Sequence, residues 1–339
     1  MLRANSIEHA FRFSRRTALS ILAGGILILG VPAGFAADEP LRVVASFSIL
    51  GDMVKEIGGE QISLTTIVGP NADAHSFEPT PKDAKALSQA QVLVINGLDF
   101  EGWLPRLVQA SGFKGVQVLA SKDVALRHLT EADQPSHNHN DGDLDHKHDH
   151  SHGVAKDGHA HSDVDPHAWQ DLSNGMIYAK NIADGLSQAD PKRRAYYQSR
   201  MQTYVAQMKK LDAEIRQGFA EIPLARRKVI TSHDAFGYFA QAYGIQFISV
   251  VGLSSDAQPS AKDVAAIISL AKKERISGVF IENTTNSKLA KQIARETGAQ
   301  VVGTLYSDAL APADQPAATY LGMFSWNAGR LIYLMKPSN

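Results

Sequence analysis

The sequence predicts an α/β protein of two βα lobes, each with a mostly parallel four-stranded sheet, joined by one long rigid helix. Short apolar segments alternate with helical segments in two separate groups, and this alternation is typical of βαβ units around a parallel sheet. A long amphipathic helical pattern lies between the two groups. The chain of 339 residues also exceeds the roughly 100–200 residues of one domain, which favours two lobes.

Residues 1–36 have the three parts of a secretory signal peptide. Four arginines precede an apolar core at 18–31, and the small-x-small sequence at 34–36 is a cleavage site. The apolar core is shorter than the roughly 20 residues of a membrane-spanning helix. We therefore expect a periplasmic protein exported by a cleaved signal peptide. The pair Arg15-Arg16 leaves twin-arginine export open as an alternative route.

We expect the rest of the chain to divide into an N-terminal α/β lobe at 37–190, a linking helix at 191–222 and a C-terminal α/β lobe at 223–339. Within the first lobe, residues 131–163 lose apolar periodicity and consist mainly of Asp, Asn, Ser, Gly and His. This composition buries too little apolar surface to offset the entropy of ordering. We expect a disordered, His-rich insertion there.

The N-terminal lobe is predicted from apolar runs of strand length that glycine, proline or polar clusters separate. The strands are predicted at Leu41–Ser46, Ile62–Val68, Val92–Ile95 and Val116–Leu119. The helices are predicted after the first strand through Ile57, and at Lys82–Ser88, Trp103–Ala110 and Leu172–Leu186. Gly58-Gly59 ends the first helix because glycine readily adopts the left-handed conformation of a helix C-terminus.

The linking helix is predicted to start at Asp190-Pro191, with Asp190 as N-cap and Pro191 in the first turn. Apolar side chains then recur every three or four residues as far as Glu221. They are Tyr197, Met201, Tyr204, Met208, Leu211 and Ile215. About 30 residues at ~1.5 Å each give a helix of roughly 45 Å, which suits a strut between two lobes.

The C-terminal lobe repeats the alternation of strands and helices. The strands are predicted at Lys228–Thr231, Phe247–Val251, Val279–Ile281 and Val301–Leu305. The helices are predicted at Ala235–Tyr243, Ala261–Glu274, Ser287–Thr297 and Thr319–Met335. Ligands of open parallel sheets bind beyond the carboxyl ends of the strands, so we expect a site in the loops that follow the strands.

Composition excludes several kinds of site. The chain contains no cysteine, which excludes disulfides, thiolate ligands and a lipid-modified cysteine. The formal net charge is −1, and loss of four arginines and one glutamate with residues 1–36 changes it to −4. A mildly acidic protein lacks the basic surface that binds nucleic acid. Any metal site must therefore use His, Asp or Glu.

Four residues form a candidate metal site: His75, His167, His233 and Asp308. Three of them follow predicted strands, and His167 does so if the insertion loops out. A single loop histidine is usually only solvated or hydrogen bonded. Outside the signal peptide and the insertion, however, only four of the thirteen histidines occur, and the fourth, His128, is predicted to be a surface residue. Two candidates come from each half, which predicts a site in the cleft between the lobes.

The neighbours of His167 stiffen the chain around it. Pro166 has a fixed φ and favours an extended conformation at Asp165. Trp169 offers a large surface for burial, and Asp171 is expected to cap the following helix. The ring of His167 is therefore expected to be oriented before any metal binds.

Three imidazoles and one carboxylate can complete a tetrahedral zinc site, whereas sites made of oxygen ligands favour manganese or magnesium. A catalytic zinc keeps one position for water, and four protein ligands leave none. We therefore expect one tight Zn²⁺ site without catalytic residues, in a metal carrier and not an enzyme.

Eight further histidines lie between residues 137 and 161. Closely spaced histidines can collect divalent metal, but binding there must order the chain, which lowers the affinity. We expect weaker, additional zinc binding in this tract. The alternative is a solvated spacer without function.

Four segments resemble the ligand segments of the metal-binding cluster of ABC-transporter solute-binding proteins, especially its ZnuA-like periplasmic zinc-binding members. These segments are Asn71–Pro79 (NADAHSFEP), Asp165–Trp169 (DPHAW), Thr231–Phe236 (TSHDAF) and Tyr306–Leu310 (YSDAL). The resemblance covers nearly the whole mature chain, in order. It implies two α/β lobes joined by a rigid helix, and delivery of metal to an ABC permease in the inner membrane.

The resemblance also bears on the choice of metal and of partners. In this family a carboxylate at the third ligand position goes with manganese, and here that position is His233, as in the zinc members. A His-rich loop before the second ligand is a further trait of zinc members. Several zinc members have a disulfide that is absent here, and some lack the fourth-ligand aspartate, which is present as Asp308. High-affinity zinc uptake by a monomer is implied, with a periplasmic zinc metallochaperone as a further candidate partner.

Two other functions stay open from the residues alone. A periplasmic zinc-dependent hydrolase would need a metal-bound water and a general base, for which Asp308 or Glu282 is available. A zinc-buffering or adhesion protein would bind the metal without docking a permease. Glu282 and Asn283, at the end of a predicted strand, are candidates either to orient an imidazole or to cap the next helix.

Overall fold

Two parallel sheets form the framework of the molecule, as a computed structural model of the protein shows. The structure describes residues 39–129, 163–253, 259–276 and 278–336. The predicted signal peptide, and all of the predicted insertion except Asp163, lie outside these residues. The predicted fold class, two α/β lobes with four-stranded sheets joined by a long helix, is confirmed.

The sheet of the N-terminal lobe has the strand order β2-β1-β3-β4, and all neighbouring strands are parallel. Its strands are β1 (Leu41–Phe47), β2 (Ile62–Val68), β3 (Val92–Ile95) and β4 (Val116–Leu119). Its helices are α1 (Ser48–Gly58), α2 (Pro81–Gln89), α3 (Leu104–Ser111) and α4 (Leu172–Ala189). Every residue of β3 is buried, as expected of an apolar strand in a parallel sheet that helices cover.

Helix α5 (Arg194–Ala220) is the linking helix. It has 27 residues, which at ~1.5 Å each give about 40 Å. Pro191–Arg193 form a 3₁₀ turn that leads into it, and Asp190 precedes this turn. The N-cap position of α5 itself is Arg193 and not Asp190 as predicted. Helix α5 packs against α1 and α4 in the first lobe and against the sixth and ninth helices in the second. It therefore contacts both lobes along its length.

The sheet of the C-terminal lobe has the order β6-β5-β7-β8 and is also parallel throughout. Its strands are β5 (Lys228–Thr231), β6 (Gln246–Ser249), β7 (Gly278–Glu282) and β8 (Gln300–Leu305). Its helices are α6 (Gly237–Tyr243), α7 (Ala261–Lys273), α8 (Ser287–Thr297) and α9 (Tyr320–Met335). In both sheets the strand order reverses beside the first strand of the lobe, and such a reversal opens a crevice at the carboxyl ends of the strands.

One hydrophobic core extends across both lobes. It contains Trp169 from the first lobe, Tyr197 from α5, and Phe239 and Phe324 from the second lobe, all fully buried. The rings of Phe239 and Phe324 stack with centroids 5.8 Å apart. A smaller core lies between the second sheet and helices α7 and α8. Apolar packing, and not only the linking helix, therefore holds the lobes together.

The ends of the insertion are joined to each other. The amide of Leu129 donates to the carbonyl of Asp163 (2.7 Å), and the amide of Asp165 donates to the carbonyl of Arg127 (2.9 Å). His128 and Val164 form an antiparallel bridge between these bonds, and His128 is exposed, as predicted. Residues 127–129 and 163–165 thus lie side by side, after β4 and before α4. His167 follows this bridge and not a strand of the sheet.

Among the described residues, none of the helices combines the length and the apolar character that crossing a membrane requires.

Asp52 on α1 forms a hydrogen bond between the two lobes. Its Oδ2 accepts from the amide of Tyr320 at the start of α9 (2.8 Å), and burial raises its pKa to about 6 despite this bond. An unfolded aspartate titrates near ~3.9, so folding takes up a proton between these pH values. The contribution of Asp52 to stability is therefore greatest below pH ~4 and is lost as the pH rises through about 6.

We expect Asp52→Asn, which removes the charge and keeps an oxygen acceptor, to be more stable than the parent above pH 6. This advantage should shrink as the pH falls towards 4, because the parent carboxyl then becomes neutral as well. Urea unfolding of the metal-free proteins from pH 4 to 8 measures the effect. Glu60→Gln, at an exposed carboxylate, is the control. A constant difference between Asp52→Asn and parent at all pH values would contradict the assignment.

Candidate metal centre

The four predicted site residues meet in space. One ligand atom from each of His75, His167, His233 and Asp308 lies within 4.8 Å of every other. The Nε2 atoms of His75 and His167 are 3.3 Å apart. Asp308 Oδ1 lies 3.4 Å from His167 Nε2, and Oδ2 lies 2.9 Å from His233 Nε2 and 3.8 Å from His75 Nε2. All three imidazoles therefore direct Nε2 towards the same carboxylate.

His75 lies in the loop that follows β2, and a local turn sets its backbone. The amide of His75 donates to Oδ1 of Asp73 (2.8 Å), two residues earlier. The indole of Trp103 donates to the carbonyl of Ala74 (2.8 Å) and ties this loop to α3. The rings of His75 and Phe100 form a T-shaped pair with centroids 4.5 Å apart. The loop is thus held by hydrogen bonds to its backbone, and the ring by an aromatic neighbour.

His167 is oriented by the aspartate two residues before it. Asp165 Oδ1 accepts from the amide of His167 (2.9 Å) and lies 2.8 Å from Nδ1. Because an ionised carboxylate only accepts, Nδ1 carries the proton and Nε2 offers its lone pair to the site. The side-chain amide of Asn96 donates to the carbonyl of Pro166 (3.0 Å), and Trp169 packs against the ring. These contacts hold the backbone and the ring of His167 in one orientation.

Helix α4 starts directly after this segment, and Asp171 caps it as predicted. The Asp171 side chain accepts from the amide of Ser173 (2.8 Å).

His233 has a carboxylate partner from the adjacent strand. Glu282, at the end of β7, places Oε2 2.5 Å from His233 Nδ1. Its Oε1 accepts from the amides of Ser232 (2.8 Å) and His233 (3.0 Å). Glu282 thus orients an imidazole, whereas the side chain of Asn286 caps α8. Asn283 does neither, and instead donates to Asn71 and to the carbonyl of Ala309.

The N-terminal lobe holds the loop that carries Asp308. The indole of Trp169 and the side-chain amide of Gln170 both donate to the carbonyl of Ser307, at 2.9 and 2.7 Å. The amide of Leu310 donates to the hydroxyl of Ser48 on α1 (3.0 Å). The loop is thereby fixed from the opposite lobe on both sides of Asp308, one residue before it and two residues after it.

The site lies between the lobes, as predicted, with two residues from each. The side chains of His167, His233 and Asp308 are completely buried, and that of His75 is 11% exposed. Solvent therefore reaches the cluster at the edge of His75. A cation that enters without rearrangement must pass this imidazole.

Burial and charge act differently on the four residues. Burial lowers the pKa of His75 to about 4, and the two other imidazoles add to this effect while Asp308 opposes it. Burial also disfavours the charged form of His233, but the carboxylates of Glu282 and Asp308 outweigh it and raise the pKa of His233 well above its usual value. For Asp308, burial opposes the charge, but the surrounding imidazoles, led by His233, hold its pKa far below the ordinary range. An imidazolium at His233 thus neutralises the buried carboxylate of Asp308.

The donor set fits a divalent metal cation. Neither oxygen of Asp308 receives a hydrogen bond from the described residues, although both are buried. Buried polar atoms of native proteins nearly always have partners, and here the atoms that face them are imidazole nitrogens. A metal ion bound to three Nε2 atoms and the carboxylate would satisfy all four groups at once. No position for a reacting water is then required.

Sequence analysis missed several residues that position the site. It used Asp165 only as a stiff neighbour of Pro166, although an acceptor two residues from a candidate ligand was a usable signal. It had no means to find the donation of Trp169 and Gln170 to Ser307, because these residues are more than 130 positions apart in the chain. Asn96 donates to the carbonyl of Pro166, which is 70 positions away in the chain, and no local pattern predicts this bond either.

Comparison with known proteins gives consistent matches. Residues 43–332 match the family model of the zinc-uptake complex component A, periplasmic (ZnuA). The metal ABC transporter substrate-binding lipoprotein SloC of Streptococcus mutans is 30% identical over 87% of this chain and 90% of its own length. The manganese ABC transporter substrate-binding lipoprotein PsaA of Streptococcus pneumoniae is 27% identical over 87% and 89%. The structure of the periplasmic zinc-binding protein TroA of Treponema pallidum superimposes with a TM-score of 0.76 at 25% identity, over 88% of this chain and all of that one.

The charge distribution in the cluster predicts distinct protonation states in the metal-free protein. His233 should stay cationic between pH 5 and 7, whereas His75 should stay neutral over this range. Side-chain ¹⁵N chemical shifts of the two imidazoles, followed by NMR during a pH titration, measure this directly. Asp308→Asn should lower the pKa of His233, since it removes one of the two carboxylates that stabilise the cation. An ordinary titration of His233 near ~6.5 in the parent would contradict the assignment.

Proposed function

The chain belongs to the family of the periplasmic zinc-uptake complex component A, and we propose that it captures Zn²⁺ in the periplasm and delivers it to the permease of an ABC importer. Its relatives are named as substrate-binding proteins of metal ABC transporters. The observation that carries the choice of cargo is the donor set, in which three imidazole Nε2 atoms converge on the carboxylate of Asp308. Such a set completes the four-coordinate shell of zinc.

Nitrogen ligands support zinc over manganese as the cargo. Affinity for divalent metals of the first transition row is lowest for Mn²⁺, and imidazole favours the later metals, whereas oxygen ligands suit manganese. The third ligand candidate is His233, an imidazole held by Glu282 and not a carboxylate. Zinc is therefore the cargo that we assign to this site.

Manganese is the second candidate, and one observation favours it. Both oxygens of Asp308 face imidazole nitrogens, Oδ1 towards His167 and Oδ2 towards His233 and His75. Bidentate binding by Asp308 would raise the coordination number above four and would suit a larger cation. Competition between the two metals decides between the candidates.

The positions of the two carboxylates support a carrier over the alternative hydrolase. Asp308 lies inside the ligand cluster, and Glu282 is engaged by His233 Nδ1 and two backbone amides. A hydrolase would need one of them as a general base beside a metal-bound water. With all four ligand candidates on the metal, its shell is closed and reversible binding is the chemistry that this arrangement supports.

We further propose that the protein acts in the periplasm after cleavage at residue 36, as a monomer with the lobes at 37–190 and 223–339. The relatives named above are lipoproteins, whereas this sequence contains no cysteine to carry a lipid. Docking to the permease separates this function from zinc buffering or adhesion. Zinc-dependent growth of a deletion strain, restored by the parent gene only when the permease is present, tests that step. A periplasmic zinc metallochaperone is a candidate donor.

Zinc should stabilise the mature protein through these four residues. A ligand at ~1,000 times its Kd adds about 4 kcal/mol to the free energy of unfolding, which at ~2–4 °C per kcal/mol raises the Tm by roughly 10 °C. His75→Ala should lose most of this shift and cost little stability, because His75 is the partly exposed member of the cluster. His128→Ala, at an exposed histidine outside the site, should keep the full shift.

Zinc should also displace manganese when both metals are present at equal concentrations. Zinc binding at pH 7 should release about one proton, because His233 must lose its charge to bind the metal. Calorimetry in buffers of different ionisation enthalpy counts that proton. Full retention of the zinc shift in His75→Ala would remove His75 from the site. Manganese bound as tightly as zinc would replace zinc as the assigned cargo.

The His-rich tract is proposed to supply zinc, and its removal should separate supply from retention. The deletion should replace residues 130–162 by a short Gly-Ser linker and keep the paired ends at 127–129 and 163–165. One tight zinc site per chain should survive with unchanged affinity, because no ligand candidate is removed. The number of weakly bound zinc ions, and the rate of loading from dilute zinc, should fall.

Calorimetry and stopped-flow loading on the intact and shortened proteins measure these quantities. Loss of the tight site would mean that a tract histidine is a ligand. Unchanged weak binding and unchanged loading would favour a spacer without function.

A further inference from the structure

We propose that Arg127 is a positioning residue of the metal centre, which fixes Asp165, and through it the ring of His167, from a slot that the opposite lobe provides. This inference rests on the proposed function in one respect, since it takes His167 to be a metal ligand. The contacts that Arg127 itself makes lie outside the four ligand candidates and connect both lobes.

The first observation is the way in which the Asp165 carboxylate is shared. Its Oδ1 accepts from the backbone amide of His167 (2.9 Å) and lies 2.8 Å from Nδ1 of the same residue. Its Oδ2 accepts from Nη1 of Arg127 (2.9 Å). The carboxylate is thus fixed at both oxygens, which determines its rotation about the side-chain bond. Arg127 therefore sets the direction in which Oδ1 meets the imidazole.

Burial makes this contact important. The side chain of Asp165 is completely buried, whereas that of Arg127 is 18% exposed. Removing one partner of a buried ion pair leaves a charge without compensation and is costly. Without the guanidinium, Asp165 would have to turn towards another donor or towards water. The ring of His167 would then lose the acceptor that holds Nδ1–H and directs Nε2 into the site.

The second observation is the space that α6 leaves for the guanidinium. Gly237 is the first residue of α6, and a Cβ at this position would overlap Cζ and Nη1 of Arg127. Gly237 has no left-handed backbone conformation that would by itself call for glycine. The space for Arg127 is therefore the reason in this structure for a residue without a side chain. Glycine makes a helix less stable than alanine does, so helix stability does not explain glycine at this position.

The third observation is that the backbone of Arg127 is also bound on both sides. Its amide donates to the hydroxyl of Tyr238, the second residue of α6 (2.9 Å). Its carbonyl accepts from the amide of Asp165 (2.9 Å). Arg127 thus stands between α6 of the C-terminal lobe and the segment that carries His167. Separation of the lobes at this point would remove the support from Gly237 and Tyr238 together, so the orientation of His167 depends on the packed arrangement.

Four variants test the proposal on the full mature chain: Arg127→Met, Arg127→Lys, Gly237→Ala and the double variant Arg127→Met/Gly237→Ala. Zinc affinity is measured by competition with a chromogenic chelator. Arg127→Met should bind zinc about 10-fold more weakly, the lower end of the loss seen when a partner of a ligand imidazole is removed. Arg127→Lys should regain most of the affinity, because a single donor to Oδ2 suffices.

Gly237→Ala should weaken binding in the same direction by displacing the guanidinium. The double variant should be no weaker than Arg127→Met alone, because both changes act through one contact. Arg216→Met is the matched control. Arg216 pairs with Asp212 at 2.8 Å and also reaches α6, through the carbonyl of Ala242, but contacts none of the four ligand candidates. It should alter the free energy of unfolding and leave zinc affinity unchanged.

A readout in the metal-free protein keeps this inference separate from the proposed function. The side-chain ¹⁵N shifts of His167 should show a proton fixed on Nδ1 in the parent and in Arg127→Lys, and a mixture of tautomers in Arg127→Met. If the parent binds no zinc but these shifts change, the proposed function is wrong and the positioning role stands. Unchanged shifts and unchanged affinity in Arg127→Met overturn the inference, as does an additive double variant.

Discussion

The metal centre depends on one carboxylate, Asp308, that is completely buried among three imidazoles. A buried carboxylate without compensation is strongly unfavourable. The proton that Glu282 and Asp308 hold on His233 relieves that cost in the metal-free protein. A divalent cation can replace that proton without moving the ligands far, since they already lie within 4.8 Å of one another. The site is therefore preorganised for exchange between a proton and a metal.

The three imidazoles are supported to different degrees. His167 and His233 each have a carboxylate at Nδ1, Asp165 and Glu282 respectively, and both are completely buried. His75 is held by a turn of its backbone and by T-shaped contact with Phe100, and it alone of the three imidazoles is partly exposed. His167 and His233, one in each lobe, are thus held in fixed positions beside Asp308. His75 is the ligand candidate that can move with least disturbance of the core, and it stands where solvent enters.

The contacts across the cleft suggest a limited kind of motion. One hydrophobic core extends through α5 and joins the lobes. Hydrogen bonds near the site also join them, at Ser307, Leu310 and Arg127. A wide hinge opening would expose the aromatic core and break all of these bonds together. Local movement of loops around the cluster disturbs far less buried surface. Capture and release of the metal are thus expected to involve the loop of His75 before they involve whole lobes.

The sequence by itself determined the elements of the fold and the composition of the site. Apolar runs such as Val92–Ile95 and the three- and four-residue repeat in α5 are local patterns, and local patterns predict strands and helices because each depends on neighbours in the chain. Three of the four ligand candidates, His75, His233 and Asp308, were found from their places after strands, since parallel strands bring the loops at their carboxyl ends to one edge of each sheet. The cap of α4 by Asp171 is likewise local, as is the 3₁₀ turn after Asp190 that leads into α5.

Only the tertiary structure decided how those residues are held. The contacts that hold them join positions 38 to 138 residues apart in the chain, several of them in opposite lobes. They are the pairing of Asp165 with Arg127, the slot at Gly237, and the donation of Trp169 and Gln170 to Ser307. No periodicity connects such positions, so none could be predicted from it. The continuous core between the lobes was missed for the same reason, because an apolar face does not specify which other face will cover it. The packed fold, finally, gave His75 and His233 opposite protonation, since burial lowers the pKa of His75 whereas two carboxylates that only the tertiary structure places beside His233 raise its pKa.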